Sequence, residues 1–124
     1  MNSKRPVNLD ISTIQFPIPA IASIVHRITG IAVFVGIAFL LYGLDLSLSG
    51  PTGFDSVADV MAHPLAKLVV WGTLSALAYH LVAGIRHLVM DIGVGETLEG
   101  GRLSAQIAFG VSIVLIILLG VWIW

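Results

Sequence analysis

Three long stretches of this chain carry no charge. Ile28 to Leu44 is a run of 17 residues, Leu68 to Ile85 a run of 18, and Leu103 to Trp124 a run of 22. A helix that crosses a bilayer needs roughly 20 predominantly apolar residues. The first helix begins before its uncharged run, near Ala20, because Pro17 and Pro19 suit a helix entrance better than its interior. The second runs on towards Met90. The pattern therefore predicts an all-α integral membrane protein. Its single domain over residues 1–124 has three transmembrane helices, at approximately 20–48, 65–90 and 103–124.

Two polar connections separate these helices. Ser47 to Pro64 contains Gly50, Pro51, Gly53, Asp55 and Asp59 and reads as a loop with one short interfacial turn around Asp55 to Met61. Asp91 to Arg102 contains Gly93, Gly95, Gly100 and Gly101 and reads as a flexible loop. Met1 to Asp10 is polar and does not read as a signal peptide, so the first helix is expected to be retained and to direct insertion.

Composition narrows the class. Hydrophobic residues make up 57% of the chain and charged residues only 10%, against about 25% charged in an average soluble domain. Mean hydropathy is +1.02. The net charge of −1 offers no basic field for nucleic acid. There is no cysteine, which excludes disulfides, thiolate zinc sites, iron–sulfur ligation and cysteine-attached haem from this chain.

Lysine and arginine set the expected orientation. Lys4, Arg5 and Arg27 lie on the N-terminal side of the first helix, and Arg86 and Arg102 flank the second connection on that same side. Lys67 alone flanks the other connection. The positive-inside rule then puts the N-terminus in the cytoplasm or matrix and Trp124 on the far side, where Trp122 and Trp124 fit an interfacial belt.

Ionisable residues within spanning helices are costly and point to function. Ser23, His26 and Arg27 share one face of the first helix by their i, i+3, i+4 spacing. Arg27 taken alone fits a snorkelling anchor. The three together form a polar face at the membrane boundary, suited to hydrogen-bonding a small headgroup such as a quinone. His80 and His87 stand two turns apart on one face of the second helix, His80 the deeper. A histidine so placed is either a packing residue or a ligand, and neutral imidazole is the common protein ligand of b-type haem. Gly84, four residues after His80, would let a flat macrocycle approach. Arg86 and His87 lie nearer the cytoplasmic side, with Arg86 about 9 Å from His80 along the axis by helical rise, which suits haem propionates. Arg86 alone fits a positive-inside anchor equally well. His87 and Asp91, at i and i+4, read as a local charge pair.

Three segments, RPVNLDI at Arg5 to Ile11, SIVHRITG at Ser23 to Gly30 and HLVAGIRHLVMD at His80 to Asp91, occur in this order. With them the chain resembles the cytochrome b membrane-anchor subunit of bacterial succinate dehydrogenase, respiratory complex II, from Arg5 to Trp124. The resemblance implies half of a heterodimeric haem-binding helix bundle. His80 would be an axial ligand of haem b, with the second axial ligand supplied by a different three-helix membrane subunit. Ser23 and Arg27 would line the ubiquinone pocket, and Ile11, Phe16 and Ile24 would flank the quinone ring. His26, Arg27 and His87 would lie near the propionates, with Gly84 in the haem pocket. The expected partners are that second anchor, an iron–sulfur subunit, a flavoprotein that oxidises succinate, and the lipid bilayer. The expected place is the bacterial inner membrane, with a periplasmic C-terminus. This chain would serve as a subunit of succinate:quinone oxidoreductase without itself oxidising succinate. Two other readings remain beside it: a small transporter or channel subunit with Arg27, His26 and His80 as a proton relay, and a structural anchor carrying neither haem nor quinone.

Overall fold

The computed structural model describes residues 16–124. Four helices follow one another: α1 (Ile18–Ser47), α2 (Pro51–Met61), α3 (Pro64–Asp91) and α4 (Leu98–Ile123). There is no strand among the described residues. Three of the helices, α1, α3 and α4, are long and apolar enough to cross a membrane. With 30, 28 and 26 residues, they extend about 45, 42 and 39 Å at 1.5 Å per residue, enough for the hydrocarbon core and part of the headgroup layers.

Proline sets three of the four helix starts. It occupies the first turn of α1, α2 and α3, where its missing N–H would have had no helical partner anyway. The expected single turn after Asp55 is instead an 11-residue helix. It begins at Pro51, directly after Gly50, whose φ of 144° is a conformation side-chain-bearing residues rarely adopt.

α4 begins five residues before the predicted Leu103. The Thr97 side chain accepts a hydrogen bond from the Gly100 amide at 3.0 Å, and Glu99 stands in the first turn. Cap and dipole together offset the poor helix propensity of Gly100 and Gly101. Gly101 is buried where three helix ends meet. A Cβ there would lie 3.8 Å from the Met90 side chain and 3.9 Å from Pro19. The start of α1, the end of α3 and the start of α4 thus share one end of the bundle.

α3 packs against both α1 and α4, and the core between them is made of small residues. Ala22, Ala83, Ala105 and Ala108 are buried, as are Gly36, Gly101, Thr73 and Ser112. In lipid, helices associate by close packing and hydrogen bonds, since apolar burial gains little there. Large apolar side chains accordingly face outward; Phe34 is 81% exposed and Phe39 65%.

Three polar ties hold α3 in place. Tyr79 donates its hydroxyl to the Ala22 carbonyl at 2.7 Å, and its ring packs 5.6 Å from Phe109. Trp71 Nε1 donates to the Ile116 carbonyl at 2.9 Å over Gly120. Arg86 Nε donates to Ser104 Oγ at 2.9 Å and its Nη2 to the Gly101 carbonyl at 3.0 Å. Trp124 meets Trp71 edge-on at 5.7 Å, whereas Trp122 faces outward.

α1 and α3 approach one another closely at Gly36. A Cβ there would collide with the hydroxyl and methyl of Thr73. Thr73 is β-branched and donates to the Val69 carbonyl at 2.9 Å, so it cannot easily turn aside. Gly36→Ala is expected to destabilise the bundle by about 1–3 kcal/mol through overpacking. Thermal melts of the detergent-solubilised complex check this, with Gly43→Ala as the comparison because nothing lies within 4 Å of that position.

Candidate functional site

The chemistry collects where α1 faces α3, near the shared end of the bundle. His26 and His80 stack in parallel, with ring centroids 4.0 Å apart and planes 5° from parallel. His87, two turns along α3 from His80, meets His26 edge-on at 5.2 Å. The histidines read from sequence as two separate groups are thus one contiguous cluster.

His80 is anchored by one edge. Its Nδ1 lies 3.1 Å from the His26 carbonyl oxygen and 3.4 Å from Thr29 Oγ1. Thr29 itself donates to the His26 carbonyl at 3.0 Å. Gly30 gives the ring its clearance, since a Cβ there would be 3.1 Å from His80 Cε1. His80 Nε2 has no hydrogen-bond partner among the described residues, and it is not enclosed either. His80 therefore offers the cluster an accessible imidazole nitrogen, Nε2.

That donor set bears on which cofactor fits. Among the described residues, no group of three or more histidines or carboxylates is arranged to hold a metal ion. The stacked imidazoles do not converge on a point. A haem iron asks less of one chain, a single axial imidazole with the macrocycle supplying the equatorial nitrogens. His80 meets that requirement.

Other expected residues are placed as follows. Ser23 and His26 are half-buried and Arg27 is exposed on α1, all within the first three turns. Ile24 and Phe16 are each about two-fifths exposed on the same end. Ile11 lies outside the described residues, as do Lys4 and Arg5. Gly84 does not stand open to a macrocycle, because the His26 ring lies over it and a Cβ at Gly84 would be 3.4 Å from His26 Nε2.

Arg86 differs from both sequence readings. It is buried, at 7% exposure, and its donors brace α3 against α4. It serves as a strut between helices, not as an anchor in the headgroups.

Sequence reading also missed a cavity at this end. It measures about 550 Å³ and is lined by Pro19, Arg86, His87, Met90, Asp91 and Glu96. His87 and Asp91, paired in the sequence reading, share its wall. A second, apolar groove of about 410 Å³ runs along α1 through Gly30, Val33, Phe34, Ile37, Ala38 and Leu41. Thr29 and Gly30 carried a detectable signal, being the i+3 and i+4 neighbours of His26 on α1.

Comparison with known proteins places the chain in a family. The family described as succinate dehydrogenase/fumarate reductase transmembrane subunit matches residues 1–119. The succinate dehydrogenase cytochrome b556 subunit of Coxiella burnetii is 46% identical over 125 residues, covering 100% of both chains. The cytochrome b556 subunit of Paracoccus denitrificans is 35% identical, over 92% of this chain and 88% of its own. The mitochondrial cytochrome b560 subunit of Sus scrofa is 34% identical over 79% of this chain and 59% of its own. With the match spanning nearly the whole chain and three membrane-crossing helices in place, this chain belongs to the succinate dehydrogenase/fumarate reductase transmembrane subunit family.

Proposed function

We propose that this membrane-anchor subunit of succinate dehydrogenase supplies one axial ligand of haem b and part of the site where ubiquinone is reduced. The observation that carries this reading is His80, seated against α1 by its Nδ1 edge with Nε2 unpaired. His80 would hold the iron, and His26, Arg27 and His87 would surround the propionates. The second axial ligand would come from another three-helix membrane subunit. When bound, haem b supplies a one-electron centre beside the quinone.

Ser23 and Arg27 do the chemistry of positioning. The serine hydroxyl and the guanidinium would each donate a hydrogen bond to a quinone oxygen, whose negative charge grows as it is reduced. A guanidinium keeps its own proton, so it stabilises that charge without acting as the acid. Ile24, Phe16 and Ile11 would flank the ring. Electrons would arrive from an iron–sulfur subunit, itself fed by a flavoprotein that oxidises succinate. The membrane is the bacterial inner membrane, with the shared helix end, and so the N-terminus, on the cytoplasmic side. The transporter reading gives way to the family membership.

Isolation through an affinity tag on this chain tests the proposal. A second membrane chain, an iron–sulfur protein and a flavoprotein are expected to copurify and to reduce ubiquinone with succinate. Recovery of the chain without succinate-linked quinone reduction would refute it.

A further inference from the structure

The His80 anchorage determines which nitrogen remains for iron. A carbonyl oxygen has no proton to give, so the 3.1 Å contact with the His26 carbonyl is a hydrogen bond only if Nδ1 carries the proton. Thr29 reinforces the same assignment. Its hydroxyl proton is directed to the His26 carbonyl at 3.0 Å, which leaves an Oγ1 lone pair facing Nδ1 at 3.4 Å. A neutral imidazole has one N–H, so Nε2 holds the free lone pair. The ring is also confined in space. The parallel His26 ring covers one face at 4.0 Å, and the Cβ-free surface of Gly30 lies against Cε1.

We propose that Thr29, with the His26 carbonyl and the bare surface of Gly30, is the positioning element that fixes the rotation and tautomer of His80 and presents Nε2 to the haem iron. This rests on the reading of His80 as an axial ligand. Hydrogen bonding at the distal nitrogen of a ligating histidine fixes its ring plane and raises its basicity. Thr29 and Gly30 touch neither iron nor quinone in this role; they act through His80.

The experiment compares Thr29→Val, Thr29→Ser, Gly30→Ala and His80→Ala with the wild type in the purified four-subunit complex. The readouts are haem content, the low-spin EPR gz value and the haem midpoint potential. Thr29→Val keeps the side-chain shape and removes the hydroxyl; it is expected to move both gz and the potential. Thr29→Ser keeps the hydroxyl and is expected to match the wild type. Gly30→Ala is expected to give the larger displacement or to lose haem, since the ring must yield to the new methyl. Succinate oxidation with an artificial dye should be unchanged in all of them. Should Gly30→Ala fail to assemble, Thr29→Val against Thr29→Ser decides the question. Full haem with wild-type gz and potential in Thr29→Val, alongside haem loss in His80→Ala, overturns the positioning role and leaves the ligand assignment standing. An unaltered bis-histidine signature in His80→Ala removes both.

Discussion

Complexes carrying His80→Ala are expected to lack the bis-histidine haem signature. The substitution removes the imidazole whose Nε2 the Nδ1 anchorage leaves free, and the neighbouring rings are not oriented to replace it. His26 lies face-on to the His80 ring and His87 edge-on to His26, so neither points a nitrogen at the vacated position without a change of rotamer. Iron would retain at most the partner's ligand, giving a five-coordinate centre or loss of the group. Pyridine haemochrome assay and low-spin EPR check this. Succinate oxidation with a dye should persist, because that chemistry belongs to the soluble subunits. Quinone reduction need not vanish, because in the proposed arrangement electrons would reach the quinone directly from the iron–sulfur subunit. A bis-histidine spectrum surviving in His80→Ala would sink the assignment.

Arg27→Leu should separate two activities that the wild-type complex couples. Arg27 is exposed in the first three turns of α1, and Ser23 stands one turn before it. The hydrogen bond proposed from the guanidinium to a quinone oxygen would be charge-assisted, worth about 1.5–3 kcal/mol, so its loss should lower quinone reductase turnover roughly ten- to hundredfold. Ser23→Ala removes one neutral hydrogen bond, worth about 0.5–1.5 kcal/mol, and should cost less. Both variants should reduce an artificial dye at the wild-type rate. The ratio of ubiquinone to dye turnover is the quantity to measure. A wild-type ratio and affinity in both would place the quinone elsewhere and return Arg27 to a snorkelling anchor or a propionate partner.

The three spanning helices were legible because lipid demands long uncharged runs, and few other folds of this length contain three. The features missed depend on contacts distant in sequence or on signals at helix starts. α2 was read as a turn because Gly53, Asp55 and Asp59 dilute its apolar pattern; the Pro51 start signal outweighed them. The early start of α4 depended on the Thr97 cap, which was masked by Gly100 and Gly101. Sequence alone leaves Arg86 between a propionate partner and a boundary cation because its acceptors, Gly101 and Ser104, lie 15 and 18 residues away on another helix. For the site, spacing placed Ser23, His26 and Arg27 on one end of α1 and His80 and His87 on one face of α3. It could not say that His26 covers Gly84 and stacks on His80. That follows from how α1 and α3 are rotated against each other, an arrangement in which Gly36 also fits closely against Thr73.

A reduced-minus-oxidised spectrum of the wild-type complex, isolated through a tag on this chain, tests the central claim most directly. The expected result is a b-type α band, one haem per copy of the chain, and a low-spin bis-histidine EPR signal that depends on His80. A complex that reduces ubiquinone with succinate yet contains no haem would contradict the claim that His80 is seated for iron.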